Sequence, residues 1–204
     1  MKNDPKKFTA ELLSIQEVYR LSVQLAEKIS ASSTAFDAVV GIARGGFPPA
    51  RFLCDFLNIE RLYSIQIKHY GSGAEQKEKA EILNENIGKI TNKKILLADD
   101  VNDSGKSLQA ASGLLQSASV LKTAVLHEKN TTEIKADFAG ETIDEWKWLI
   151  YPWAITEDVL EFLNKGNMLE SNLQEARNFL YEKYELEIDI PTLKTILTFK
   201  SNYF

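Results

Sequence analysis

Residues 96–107 read Leu96-Leu97-Ala98-Asp99-Asp100-Val101-Asn102-Asp103-Ser104-Gly105-Lys106-Ser107. An apolar run starts after Lys94, two acids follow, and a turn of small residues opens a segment over 105–116 with helical character. Strand, turn and helix in that order form half of a β-α-β unit. In an open parallel sheet, ligands sit beyond the carboxyl ends of the strands. A helix N-terminus offers unpaired N–H groups and partial positive charge, which suits a phosphate dianion. Asp103-Ser104-Gly105-Lys106-Ser107 supplies such a cradle: Gly105 admits close backbone approach, and the hydroxyls of Ser104 and Ser107 add donors. Asp99 and Asp100 suit a different target, because carboxylates accept hydrogen bonds from sugar hydroxyls and can hold Mg²⁺ through its waters. A phosphate cradle and diol acceptors a few residues apart describe a ribose 5-phosphate site. The stretch is not a Walker loop, since the Gly-x-x-x-x-Gly-Lys spacing is absent.

Outward from this stretch the alternation repeats. Residues 36–42 read as a buried strand rich in β-branched side chains, broken by Gly45 and Gly46. Residues 47–57 follow as a helix, with Pro48 and Pro49 tolerable in its first turn. Further strands are expected over 62–67, 94–98, 120–126 and 148–151. Residues 12–29 place Ile15, Val18, Leu21, Leu25 and Ile29 at helical spacing, with Ser14 and Glu17 set for a capping box. Residues 70–80 carry almost no apolar side chains and read as a long mobile loop. Strands alternating with helices predict an α/β fold: an open, mainly parallel sheet with helices on both faces. After Pro152 the pattern turns helical, over 156–164, 171–184 and 191–200. Ser171 with Gln174 could cap the second of these helices and Pro191 could open the third. The expected division is a core over residues 1–153 and a helical C-terminal extension over 154–204.

Composition narrows the class. A chain of 204 residues, 44% hydrophobic, suits one compact domain with a small appendage. A single cysteine, Cys54, excludes an internal disulfide and a cysteine-rich zinc site; its apolar neighbours Phe52, Leu53 and Phe56 make it a core residue. The net charge of −5 opposes a grip on nucleic acid, and residues 155–204 set five Lys/Arg against nine Asp/Glu, which opposes a nucleic-acid arm. No window reaches the apolar length of a membrane span, and residues 1–7 are too polar for a signal peptide. A cytoplasmic protein with a small-molecule partner is expected, without nucleic acid or membrane.

Residues 96–107 resemble the phosphoribosyl pyrophosphate motif of the type I phosphoribosyltransferases: apolar residues, two acids, two apolar residues, then a Ser/Thr/Gly loop. The chain departs from that motif at Asn102, where the family usually has an aliphatic residue. A second stretch, Gly41-Ile42-Ala43-Arg44-Gly45-Gly46, follows a strand and opens a helix. Its glycine N–H groups and arginine form an anion site. It resembles the family's pyrophosphate loop, which would set the leaving group against Arg44, Gly45 and Gly46. Residues 70–80 match the place of the family's flexible loop, with Lys68, His69 and Tyr70 at its base in reach of pyrophosphate.

The resemblance, which covers residues 36–153, lies closest to the members that use 6-oxopurines. By it, Lys129 at the end of a strand donates to the 6-oxo group, and the aromatic Trp148 stacks on the base beside Leu149. Trp146 and Trp153 read as packing residues. The implied substrates are phosphoribosyl pyrophosphate and a purine base, the cofactor is Mg²⁺ on Asp99 and Asp100, and the catalytic residues are Asp103 as general base and Arg44. A homo-oligomer, a dimer first, is the expected assembly. Two alternatives stay open: a non-catalytic regulator that senses phosphoribosyl pyrophosphate, and a phosphoribosyltransferase for another acceptor such as adenine or a pyrimidine.

Overall fold

The computed structural model describes residues 8–69 and 80–204. In chain order these form β1 (Ala10–Leu12), α1 (Ile15–Ala31), β2 (Ala38–Ala43), α2 (Phe47–Phe56), β3 (Leu62–His69), β4 (Ala80–Asn86), β5 (Lys94–Asn102), α3 (Lys106–Leu114), β6 (Val120–Lys129), β7 (Phe138–Ile143), β8 (Trp148–Ile150), α4 (Ile155–Lys165), α5 (Leu173–Tyr184) and α6 (Ile190–Leu197). The loop expected over residues 70–80 falls outside the described residues except for Ala80, and the expectations for Tyr70 and for the side chains of Lys68 and His69 fall outside them too. No helix among the described residues is long and apolar enough to cross a membrane.

Gln16–Trp146 make one compact unit. Its sheet runs β4-β3-β2-β5-β6-β7. Every neighbouring pair is parallel except β3 with β4. From β2 the chain steps outward to β3; from β5 it steps the other way, to β6 and β7. The reversal therefore falls between β2 and β5, and the crevice at their carboxyl ends is where such sheets bind ligands. Helices cover both faces. On one, Val40, Ile42, Ile95, Leu97 and Val125 bury against Leu108 and Ala111 of α3. On the other, Gly41 lies so close to α2 that a Cβ there would stand 3.0 Å from Ala50 Cβ. Each fully buried Leu, Ile or Val contributes about 1.5–3 kcal/mol.

Five elements depart from the sequence expectation. β5 continues past Ala98 through both acids to Asn102, and β6 continues to Lys129. The ladder persists there, with Asp99 opposite Val125, Val101 opposite His127 and Asn102 opposite Glu128. The strands β4 and β7, to which the sequence pattern assigned no element beyond Ala80 in the expected loop, form the two edges of the sheet. Leu12 belongs to β1 and not to the helix, which begins at Ile15.

The other unit joins the residues up to Ile15 with Lys147–Phe204. Parallel β1 and β8 pair Ala10 with Trp148 and Leu12 with Ile150. Val159, Leu160, Leu163, Leu180 and Leu193 from α4, α5 and α6 make its core. The contacts thus group residues 147–153 with the tail, whereas the sequence pattern divides the chain after residue 153. The cap of α5 is Asn172, whose side chain accepts from Gln174 N and Glu175 N. Ser171, expected in that role, instead donates its hydroxyl to Met168 O. Pro191 stands in the first turn of α6 as expected.

Candidate active site

The first loop leaves the carboxyl end of β5. Gly105 is the N-cap of α3 at φ +83°, a left-handed conformation that favours glycine, and it carries no side-chain cap. The first turn of a helix directs its N–H groups toward the loop that precedes it. Ser104 and Ser107 are half-buried beside it, and Lys106 is exposed.

The second loop leaves the adjacent strand β2 and holds Arg44, Gly45 and Gly46; the Ala43–Arg44 peptide is cis. The two loops meet closely. A Cβ on Gly45 would run into the Asp100 carboxylate. A Cβ on Gly46 would lie 2.7 Å from Ala98 O, Asp99 Cα and Ile42 O alike. At Gly46 glycine is required by backbone proximity, and the close approach sets the arginine loop against the two acids.

Asp99 is buried and Asp100 half-buried. The Asp100 N–H donates to Asp99 Oδ1 at 3.0 Å, and Val101 N–H donates to Asp100 Oδ1 at 2.8 Å. Burial pushes the Asp99 carboxyl well above the usual carboxylate range. The charge of Asp100 pushes the same way, against the Asp100 N–H that favours the ionised form. A cation or a set of hydroxyl donors would relieve that strain.

Past β5 and at the end of β6, Asp103 and Lys129 form an ion pair, Nζ to Oδ2 at 3.2 Å. The Lys129 side chain is only 4% exposed, and burial lowers its pKa while the Asp103 carboxylate raises it in opposition. Trp146 completes the group. Its Nε1 donates to Asp103 Oδ1 at 3.2 Å, and its ring lies under the Lys129 ammonium, 4.3 Å from Nζ to the centroid. Read from the sequence as packing, Trp146 is instead a polar partner of both residues. The available signal was its setting, Asp144-Glu145-Trp146-Lys147, where no apolar neighbour suggests a core position.

The structure thus brings Asp99, Asp100, Asp103, the 104–107 cradle, Arg44-Gly45-Gly46 and Lys129 to the carboxyl ends of three adjacent strands. Trp148 and Leu149 belong to the other unit. There Trp148 stacks on Phe8 with ring centroids 6.3 Å apart, its Nε1 buried without a hydrogen-bond partner among the described residues, and Leu149 is buried.

Comparison with known proteins agrees with this geometry. Residues 9–156 match the family described as "Phosphoribosyl transferase domain". A xanthine-guanine phosphoribosyltransferase from Ruegeria sp. (strain TM1040) is 29% identical over 169 residues, covering 78% of this chain and 94% of that protein. The crystal structure of a purine phosphoribosyltransferase from Pyrococcus horikoshii Ot3 superposes with a TM-score of 0.62 at 31% identity, covering 72% of this chain and 94% of that one. A transcriptional regulator, GfcR of Archaeoglobus fulgidus, is 26% identical over 110 residues, covering 52% of this chain and 55% of that protein. With the β2 and β5 loops meeting at the strand reversal and a family match spanning the whole of that sheet, the chain belongs to the phosphoribosyl transferase family and is a type I phosphoribosyltransferase.

Proposed function

We propose that the enzyme transfers the phosphoribosyl group to a 6-oxopurine. The observation that carries this reading is a buried lysine, Lys129, at a strand end next to the phosphate loop and paired with Asp103. A lysine donates and cannot accept, so it matches an oxo group and not an amino group. Its ammonium holds three protons. One faces Asp103 and the ammonium also lies over the Trp146 ring; this reading gives one of the remaining protons to the base.

In this reading the 5-phosphate rests on residues 103–107 at the N-terminus of α3, and the ribose diol on Asp99 and Asp100. Arg44, with the Gly45 and Gly46 amides, takes the charge that builds on pyrophosphate. A purine nitrogen bonds to C1′, and the C1′–O bond breaks with its electron pair leaving on pyrophosphate. The sugar passes through oxocarbenium character. The ring proton goes to the Asp103 carboxylate, whose oxygens are oriented by Trp146 and Lys129. Asp99 and Asp100 fit a magnesium ion, because two adjacent carboxylates, one of them buried, gain from a cation. No cluster of three or more metal-binding side chains forms among the described residues, so the ion's other ligands would be sugar, pyrophosphate and water. When bound, magnesium supplies charge neutralisation.

A pyrophosphate-release assay with hypoxanthine, guanine, xanthine, adenine and uracil tests the reading. At least one 6-oxopurine is expected to exceed adenine in kcat/KM by about ten- to a hundredfold, the equivalent of a donor–donor mismatch of about 1–3 kcal/mol. Lys129→Met removes most of that preference, with phosphoribosyl pyrophosphate still raising the melting temperature. Equal use of adenine and hypoxanthine by the wild type overturns the base assignment. The likeness to the regulator favours a second reading, a sensor of phosphoribosyl pyrophosphate; a thermal shift without turnover on any base would select it.

A further inference from the structure

Behind the ion pair lies a buried polar cluster that the reaction does not touch. Asn102, Glu128 and Thr132 are 2%, 7% and 5% exposed. The Asn102 amide donates to Glu128 Oε2 at 3.2 Å and to Ile134 O at 2.7 Å. Its oxygen accepts from Thr132 Oγ1 at 3.3 Å. Glu128 Oε2 also accepts from Ala136 N–H at 2.7 Å, and its other oxygen faces Lys135 Nζ at 3.5 Å. Every oxygen of the buried Glu128 carboxylate therefore has a partner, and both amide groups of Asn102 are used.

Position makes the cluster more than packing. Asn102 and Glu128 stand opposite each other in the parallel β5–β6 ladder. The next residue on each strand is Asp103 or Lys129, the two members of the ion pair. Successive residues of a strand point to opposite faces, so a bond between Glu128 and Asn102 fixes the strand ends without occupying the side on which Lys129 stands. The cluster also reaches the phosphate loop. Ile134, whose carbonyl Asn102 and Thr132 both bind, packs so closely on Gly105 that a Cβ there would lie 2.5 Å from Ile134 Cβ. An aliphatic residue, usual at the Asn102 position in this family, could make none of these bonds.

We infer that Asn102, through Glu128 and Thr132, is a positioning residue that holds Asp103, Lys129 and the phosphate loop at their working separations. The effect on base choice rests on the 6-oxopurine reading above; the effect on the ion pair does not. Asn102→Leu alone takes one partner each from Glu128 Oε2 and Ile134 O while the carboxylate stays buried, and risks misfolding. The test therefore uses the paired variant Asn102→Leu/Glu128→Leu, in which both buried partners become apolar. Glu128→Gln, which keeps an acceptor for Asn102 and Ala136, is the conservative control.

Two measurements separate the outcomes. In the pyrophosphate-release assay, the paired variant is expected to lose tenfold or more of the 6-oxopurine-over-adenine ratio of kcat/KM, and Glu128→Gln to keep it. A purely structural role would lower both bases alike. In heteronuclear NMR of the ligand-free protein, the Lys129 ammonium, assigned by its loss in Lys129→Met, is expected to exchange its protons at least tenfold faster in the paired variant than in wild type. An unchanged selectivity ratio in a selective wild type overturns the inference, and so does unchanged ammonium exchange. A wild type without base preference defeats the 6-oxopurine reading instead, and the exchange measurement still decides the positioning role.

Discussion

A buried carboxylate without a cation beside it is a cost to the folded protein at neutral pH. Asp99 holds its proton more tightly when folded than when unfolded, because burial and the Asp100 charge disfavour the ionised form. The stability it contributes is full below the unfolded value of about 3.9 and is lost as pH rises through the raised folded value. Asp99→Asn keeps the shape and the acceptor for the Asp100 N–H. It is expected to raise stability by about 1–2 kcal/mol at neutral pH, the usual scale for relieving a functional site. The gain shrinks to nothing near about pH 3, where both forms are neutral. Melting temperatures of the ligand-free proteins across that range check this; a constant difference at every pH would rule out ionisation of Asp99 as the cause. The same variant should respond less to phosphoribosyl pyrophosphate with Mg²⁺. At this scale the sequence revealed the acids and the cradle, because residue type and order carry their chemistry. It did not reveal Trp146, whose bonds to Asp103 and Lys129 depend on a chain reversal through β7.

Among the elements, the central strands were legible and the edges were not. β2, β5 and β6 are buried on both faces and read as apolar runs. β7, Phe-Ala-Gly-Glu-Thr-Ile, pairs on one side only and shows no alternation that a period of two would register. β4 exposes Ile82 and Leu83 at 40% and 47%, so its apolar content does not mark a core face. The extension of β5 through Asp100 was hidden for a related reason: the ladder to β6, not local propensity, holds those polar residues extended. The meeting of the β2 and β5 loops yields a contrast between neighbouring glycines. At Gly46 an added methyl meets backbone atoms of both strands, which cannot step aside. Gly46→Ala is expected to destabilise by about 1–3 kcal/mol. At Gly45 the nearest atoms to the methyl are those at the end of the Asp100 side chain, which can rotate away. Gly45→Ala should melt near the wild type yet raise the KM for phosphoribosyl pyrophosphate severalfold, since it displaces the carboxylate that the proposed function sets against the diol. Denaturant melts and steady-state kinetics of the two variants test the contrast, and similar behaviour of both in either assay would contradict it.

Over the whole chain, the least legible feature joins residues far apart in sequence. The helices of the tail were evident from periodicity, but nothing local to residues 8–15 announces that they belong with them. β1 pairs with β8 across more than half the chain, Ala10 opposite Trp148. Phe8 enters the aromatic cluster of that unit, edge-on to Phe162 at 5.8 Å and to Tyr184 at 5.7 Å. Phe162 and Tyr184 stack at 4.2 Å between centroids, so the three rings share one packed centre. Such contacts are worth about 0.5–1.5 kcal/mol per pair beyond the area they bury. Phe8→Ala removes two of them, the stack on Trp148 and a partly buried ring, which sets the expected loss at about 2–4 kcal/mol for this unit. Hydrogen exchange read by mass spectrometry locates that loss. Amides of α4 and α5 should exchange faster in the variant, although they lie about 150 residues away along the chain. Loosening confined to α1, the element that follows residue 8 most closely, would mean that residues 8–15 serve as a leader to that helix. The aromatic centre would then hold together without Phe8.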